Sequence, residues 1–362
     1  MRTIVLFLLG SLLLQGTQAQ LADRLLRRDQ DGDGKLSQEE APTRLKQNFA
    51  KIDANADGFV DRAELEALSK QMADKQRERP PQRRQSASLP DGVTLTKDVP
   101  YREGNPKWVV DLYRPEGEAP EEGRPGLVVI HGGGWRGGDK AGGLWSSVPA
   151  MFAEKGYVAI SVNYRLYPEV GILDCIADVK TAVRWFRAQA EDFGVDPERI
   201  GAFGNSAGAH LVSLLGLTTK EVGLEGDGPY QEYPSHVQAV CAGATPSSFV
   251  RKEGDERPPH PAFTKGSGTI EERARRASPV TYVNDHSPPF LLIHAKDDRT
   301  VPFSQGQLLH DRLQESGRDV TFLVYETGGH GIVSGKQEET LPAMEAFFDE
   351  ALKHKTLQGP LP

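Results

Sequence analysis

An α/β fold with a mainly parallel sheet covered by helices on both faces, preceded by a small all-α module, is what this 362-residue chain predicts. Three observations carry that expectation. From about residue 91 onward, short apolar runs alternate with helical stretches. A serine flanked by glycines stands where one such run meets a helix, and two acidic twelve-residue loops lie ahead of them all.

The strand-like runs cover 108–112, 126–130, 158–163, 199–203, 237–241, 290–294 and 320–324. The helical stretches most readily placed are 174–193, 206–217, 304–315 and 336–353. Strands that alternate with helices pair in parallel, and ligands on such sheets gather at the carboxyl ends of the strands.

Residues 1–19 read as a secretory signal peptide. Arg2 supplies the positive start, residues 4–14 the apolar core, and Thr17-Gln18-Ala19 the small-residue cleavage site. The run is too short to span a bilayer comfortably, so export to the periplasm or the medium is expected, without stable membrane insertion. The net charge of -8 argues against a nucleic-acid partner, because a phosphate backbone demands a basic face.

The acidic loops have a specific pattern. In the first, Asp29, Asp31, Asp33, Ser37 and Glu40 take loop positions 1, 3, 5, 9 and 12, Gly34 takes position 6, and Lys35 offers its carbonyl at 7. In the second, Asp53, Asn55, Asp57, Asp61 and Glu64 repeat the set, Gly58 makes the turn and Phe59 offers the carbonyl. Both loops resemble the EF-hand family, whose hard oxygen ligands suit Ca2+. The resemblance implies two calcium sites of structural role. Loop starts 24 residues apart are tighter than in the usual pair, leaving only 41–52 for the connection. The segment 71–90, rich in Arg, Lys, Gln and Pro, reads as a semi-extended linker. The expected organisation is 1–19 signal peptide, 20–75 EF-hand pair, 76–92 linker and 93–355 catalytic domain.

Gly204-Asn205-Ser206-Ala207-Gly208 joins the run 199–203 to a helix, the form of a nucleophile elbow. The glycines leave room for a turn that strains the serine backbone. Ser206 needs a general base, and His330, after the run 320–324, is the candidate; an aspartate after the run 290–294 would orient its ring. Asp297 and Asp298 both stand there. Negative charge on a tetrahedral intermediate would meet the amides of Ala207, Gly133 and Gly134, the last two in His131-Gly132-Gly133-Gly134-Trp135. Trp135 is the candidate wall of the substrate pocket. No cofactor is expected in the chemistry. Two cysteines, Cys175 and Cys241, in an oxidising compartment invite a bridge, while two buried thiols fit as well, since Cys241 ends an apolar strand.

Residues from about 95 to 350 resemble the α/β-hydrolase superfamily, in its hormone-sensitive-lipase-like and feruloyl or acetylxylan esterase branch. The shared marks are His131 to Trp135, Asn163-Tyr164-Arg165-Leu166, Asp178-Val179-Lys180, Gly204 to Gly208, Ser278-Pro279, Asp298-Arg299-Thr300-Val301-Pro302 and Gly328-Gly329-His330-Gly331. The Ser, Asp, His order is that of the superfamily. The resemblance implies the α/β-hydrolase fold and a triad of Ser206, His330 and Asp298, the acid chosen by the Asp-x-x-Val-Pro turn. It also tilts Cys175 and Cys241 towards a disulfide. Where bacterial members run Trp-Phe-Gly-Pro-Thr-Asp after the strand ending at Cys241, this chain has Ala242-Gly243-Ala244-Thr245-Pro246. The implied activity is a serine carboxylesterase acting on short or aromatic acyl esters, acylated polysaccharide among them. The same triad cleaves amides, so an arylformamidase or peptidase is one alternative. A calcium-dependent scaffold with a dead hydrolase domain is the other.

Overall fold

The computed structural model describes residues 22–23, 25–46, 49–78, 89–251 and 258–353. The expected signal peptide, residues 1–19, lies outside the described residues, as do 79–88 of the expected linker. The chain divides into two compact units, Met1–Ala87 and Ser88–Pro362.

In the first unit, two short strands, β1 (Leu36–Ser37) and β2 (Phe59–Val60), pair antiparallel, so residue 8 of one loop lies against residue 8 of the other as Leu36↔Val60. Two four-residue helices, Thr43–Lys46 and Phe49–Ile52, fill the tight connection between the loops. Leu36, Leu45, Phe49, Ile52, Val60 and Leu65 form a small core. The helix Arg62–Glu78 runs past the expected start of the linker, because Gln, Lys, Arg and Glu propagate a helix and the first proline comes only at Pro80.

The second unit holds an eight-stranded sheet in the order β10-β9-β8-β7-β5-β6-β4-β3. Its strands are β3 (Val93–Pro100), β4 (Val109–Pro115), β5 (Arg124–Ile130), β6 (Val158–Val162), β7 (Val195–Asn205), β8 (Ala239–Gly243), β9 (Phe290–Ala295) and β10 (Val320–Tyr325). All neighbours from β10 to β6 pair in parallel, and at one edge β4 runs antiparallel to both β6 and β3. β3 carries no apolar run because, of its residues, only Val93 is buried; an exposed edge strand needs little hydrophobic signal.

Successive residues of β5 divide between two cores. Val128 and Ile130 join one with the helices Ile172–Ala188 and Ala207–Leu217, whereas Leu127 and Val129 join the other with Leu144–Glu154 and Gln337–Leu352. This alternation corrects the disulfide expectation. Cys175 sits in the first core and Cys241 in the second, on opposite faces of the sheet, and both are free buried thiols.

The chain passes from β5 to β6 on one side and then to β7 on the other, so β5 and β7 flank the point where the strand order reverses. A crevice opens there at the carboxyl ends of parallel strands.

Candidate active site

Ser206 follows β7 directly and has φ 59°, a left-handed value that costs an L-residue about 1–2 kcal/mol. The turn is held by close approach. A Cβ on Gly204 would lie 2.4 Å from the Gly208 carbonyl, and one on Gly208 would lie 2.1 Å from the Ile130 oxygen. The Ser206 amide donates to Gly243 O on β8 at 2.8 Å. This holds the elbow to the sheet.

From Ser206 a line of hydrogen bonds runs inward. The Oγ lies 2.8 Å from His330 Nε2, and His330 Nδ1 lies 2.8 Å from Asp298 Oδ2. The His330 side chain is 28% exposed and that of Asp298 is 0% exposed, so the carboxylate is sealed while the imidazole stays reachable. Asp298 Oδ1 accepts the amides of Thr300 and Val301 at 2.8 and 3.0 Å. Burial pushes its carboxyl up, but the bond from His330 and those two amides outweigh burial and hold it below the usual carboxylate range. With the carboxylate ionised against Nδ1, the ring carries its proton on Nδ1 and presents an acceptor to the serine.

Asp297 points elsewhere. Its Oδ1 accepts the Gly329 amide at 2.7 Å.

The sequence did not single out His294, which lies on β9 four residues before Asp298. Its Nε2 lies 3.0 Å from Val301 O and 3.4 Å from Asp298 Oδ2. Burial lowers its pKa, so it meets Asp298 as a neutral imidazole rather than as an ion-pair partner. The one available signal was a histidine within an otherwise apolar strand.

The glycine loop follows β5 across the crevice. A Cβ on Gly132 would lie 3.4 Å from Ser206 Cβ, so the loop lies against Ser206. Gly133 is exposed and Gly134 half-buried. As the first residue of the helix Ala207–Leu217, Ala207 has an amide with no intrahelical acceptor. The motifs shared with the esterase branch hold this loop in place. Tyr164 donates its hydroxyl to His131 O at 3.0 Å and stacks on the His131 ring; Asn163 Oδ1 accepts the Lys140 amide; Arg165 makes two bonds of 2.8 and 2.9 Å to the Asp178 carboxylate.

Trp135 is not an open wall. Only 5% of it is exposed, and its ring meets His210, Phe249, His260 and Phe263 edge-on at 5.1–6.2 Å. It stands among these four rings beside the elbow, and its Nε1 has no partner among the described residues. Residues 252–257 lie outside the described residues, but Phe263 after them belongs to the core.

In the first unit, one oxygen each of Asp29, Asp31 and Glu40 lie within 4.8 Å of one another. Glu40 closes the loop, accepting the amides of Gln30 at 2.7 Å and Ser37 at 2.9 Å. In the second loop Asn55 stands where Asp31 stands in the first, Asp53 accepts the Asp57 and Gly58 amides, and Glu64 accepts those of Ala54 and Asp61. Gly34 and Gly58 have φ 81° and 86°, as the sharp turn at position 6 requires. Lys35, whose carbonyl is the candidate donor of the first loop, bonds through Nζ to Asp57 of the second at 3.0 Å. Asp33, Ser37, Phe59 and Asp61 occupy the remaining loop positions. The oxygen-only donor set fits calcium.

Comparison with known proteins follows the same division. An EF-hand family model matches residues 45–69. Esterase LipQ of Mycobacterium tuberculosis is 29% identical over 227 residues, which cover 61% of this chain and 53% of that protein. The chain spans about half the length of the curated relatives it matches. A truncated carbohydrate esterase from gut microbiota superposes with a TM-score of 0.63 at 26% identity, covering 72% of this chain and 97% of that one. Est2 of Thermogutta terrifontis superposes with a TM-score of 0.62 at 26% identity, covering 75% and 96%. A family model described as BD-FAE matches residues 110–313, more than half of the chain, and so the chain belongs to the BD-FAE family of α/β-hydrolases.

Proposed function

We propose that this protein is an exported serine carboxylesterase that removes short or aromatic acyl groups, with acylated polysaccharide as its natural substrate. The observation that carries the reading is the unbroken Ser206–His330–Asp298 line at the switch point of the sheet. His330 Nε2 takes the Ser206 proton as Oγ attacks the ester carbonyl. The tetrahedral oxyanion is met by the amides of Ala207, Gly133 and Gly134. His330 then hands its proton to the departing alcohol, leaving an acyl-serine. Water, deprotonated by the same ring, releases the acid and restores Ser206.

Short acyl groups are favoured in this reading because Trp135, directly after the glycine loop, packs against Phe249 and Phe263, and each methylene of a longer chain gains affinity only where apolar surface covers it. The Thermogutta esterase, similar in fold, is solved with propionate and with butyrate bound. In the first unit Asp29, Asp31, Asp33, Lys35 O, Ser37 and Glu40 would hold one calcium ion and Asp53, Asn55, Asp57, Phe59 O, Asp61 and Glu64 a second. Bound calcium would supply charge that ties each loop together and would take no part in the hydrolysis.

The test pairs fluorophosphonate labelling with parallel assays on 4-nitrophenyl acetate, longer acyl esters, methyl ferulate and acetylated xylan. Labelling at Ser206 with turnover of the short or aromatic esters is expected. An unlabelled serine, or a maximum at twelve carbons or more, rejects the reading.

A further inference from the structure

Three side chains border the oxyanion loop without entering the Ser206 relay. Arg136 follows Trp135 and is exposed. It makes no ion pair and no side-chain hydrogen bond among the described residues, and its guanidinium lies 5.8 Å from the centre of the half-buried Tyr167 ring. His260 borders the same loop. Its Nδ1 accepts the Ala262 amide at 3.2 Å, which leaves the proton of the neutral ring on Nε2. That Nε2 stands 3.8 Å from where a Cβ on Gly134 would be, so the donor faces the loop. Burial, and then the charge of Arg136, lower the pKa of His260 and keep it a neutral donor at neutral pH.

Both sides of this rim are fastened. Tyr167 donates its amide to Trp135 O at 2.8 Å, and Lys265 Nζ donates to the carbonyls of Pro168 and Glu169 at 2.5 and 2.9 Å. Glu169, the carboxylate of this turn, is engaged by Asn105 Nδ2 at 2.6 Å.

We propose that Arg136 and His260 form a subsite for a carboxylate that the substrate carries close to its scissile ester. The inference deepens the ester-hydrolase reading above and rests on it. Arg136 offers only donors and a full charge, and His260 adds a fixed N–H. A sugar hydroxyl would leave the guanidinium charge uncompensated, whereas a carboxylate satisfies both groups with charge-assisted bonds. Two carriers share this chemistry: a uronic acid on the alcohol side, and the half-ester of a dicarboxylic acid on the acyl side.

The test compares kcat/KM within two pairs that differ only in charge, using the full chain. One pair is O-acetylated methyl glucuronoside and its methyl ester; the other is 4-nitrophenyl hemisuccinate and 4-nitrophenyl methyl succinate. The carboxylate member of one pair should be favoured about tenfold, less at high salt, and the pair that shows it identifies the carrier. Arg136→Met and His260→Phe should each bring that ratio towards one. A ratio of one or less in both pairs, or a ratio that neither variant moves, overturns the proposal. If no neutral ester is hydrolysed, the esterase reading itself has failed. Calorimetric titration with methyl glucuronoside and with succinate then decides the subsite: binding that Arg136→Met abolishes upholds it, and no binding of either overturns it.

Discussion

Asp297 and Asp298 hold the same histidine loop from two sides. Asp298 Oδ2 meets the His330 ring at 2.8 Å, and Asp297 Oδ1 meets the Gly329 amide at 2.7 Å, so adjacent carboxylates divide the work of orienting the base and seating its backbone.

Their substitutions should therefore differ. Asp298→Asn removes the charge that sets the His330 tautomer and should lower kcat/KM by roughly 10³–10⁴, while Asp297→Asn, which retains an oxygen acceptor, should cost about tenfold or less. Steady-state kinetics on 4-nitrophenyl acetate decide it. A larger loss at Asp297 would move the acid to that residue.

Trp135→Ala should destabilise the catalytic unit by about 3–5 kcal/mol, because it empties the centre of an aromatic cluster. If the side chain also limits acyl length, rates across acetyl, butyryl and decanoyl esters should flatten in the folded variant. Denaturant titration and the chain-length series read the two effects separately.

Acid should weaken the fold before it protonates carboxylates. Burial lowers His131 and His210 to about 4 from an ordinary 6.5. Both are neutral when folded, so as pH falls below 6.5 the unfolded chain binds protons that the native state refuses. Stability is full above 6.5 and declines towards 4, by roughly 2 kcal/mol per histidine by pH 5. Asp298, its pKa lowered in the folded protein, adds a loss of the same sign at lower pH. Unfolding free energies that do not change between pH 7.5 and 5 would contradict this.

Calcium should raise the melting temperature of the first unit and leave hydrolysis alone, since the loops and the relay belong to separate compact units. Calorimetric titration should find two sites, one lost in Glu40→Gln and the other in Glu64→Gln. Loss of esterase activity on chelation, restored by calcium, would show that the units are coupled.

Unfolded without reductant, the protein should take up two equivalents of iodoacetamide, at Cys175 and Cys241, because the sheet lies between the two thiols. Alkylation that requires reductant would show that Cys175 and Cys241 are bridged.

What was legible in the sequence is what short stretches determine by themselves. The elbow needs Gly204 because a Cβ there would lie 2.4 Å from the backbone of Gly208 in the same turn, and the calcium-loop pattern needs Gly34 and Gly58 because position 6 takes a positive φ. Apolar runs marked the buried parallel strands, since burial on both faces leaves no polar alternation, and they passed over β3, whose edge is exposed. Only the tertiary structure decided which of two adjacent aspartates faces His330, that Trp135 is covered by four rings, and that Cys175 and Cys241 lie in separate cores. It also brought His260 and Arg136 to one rim of the oxyanion loop. Each of these depends on the direction a side chain takes relative to residues far away in the chain, and a strand's two-residue alternation sends neighbours to opposite faces without saying what waits on either.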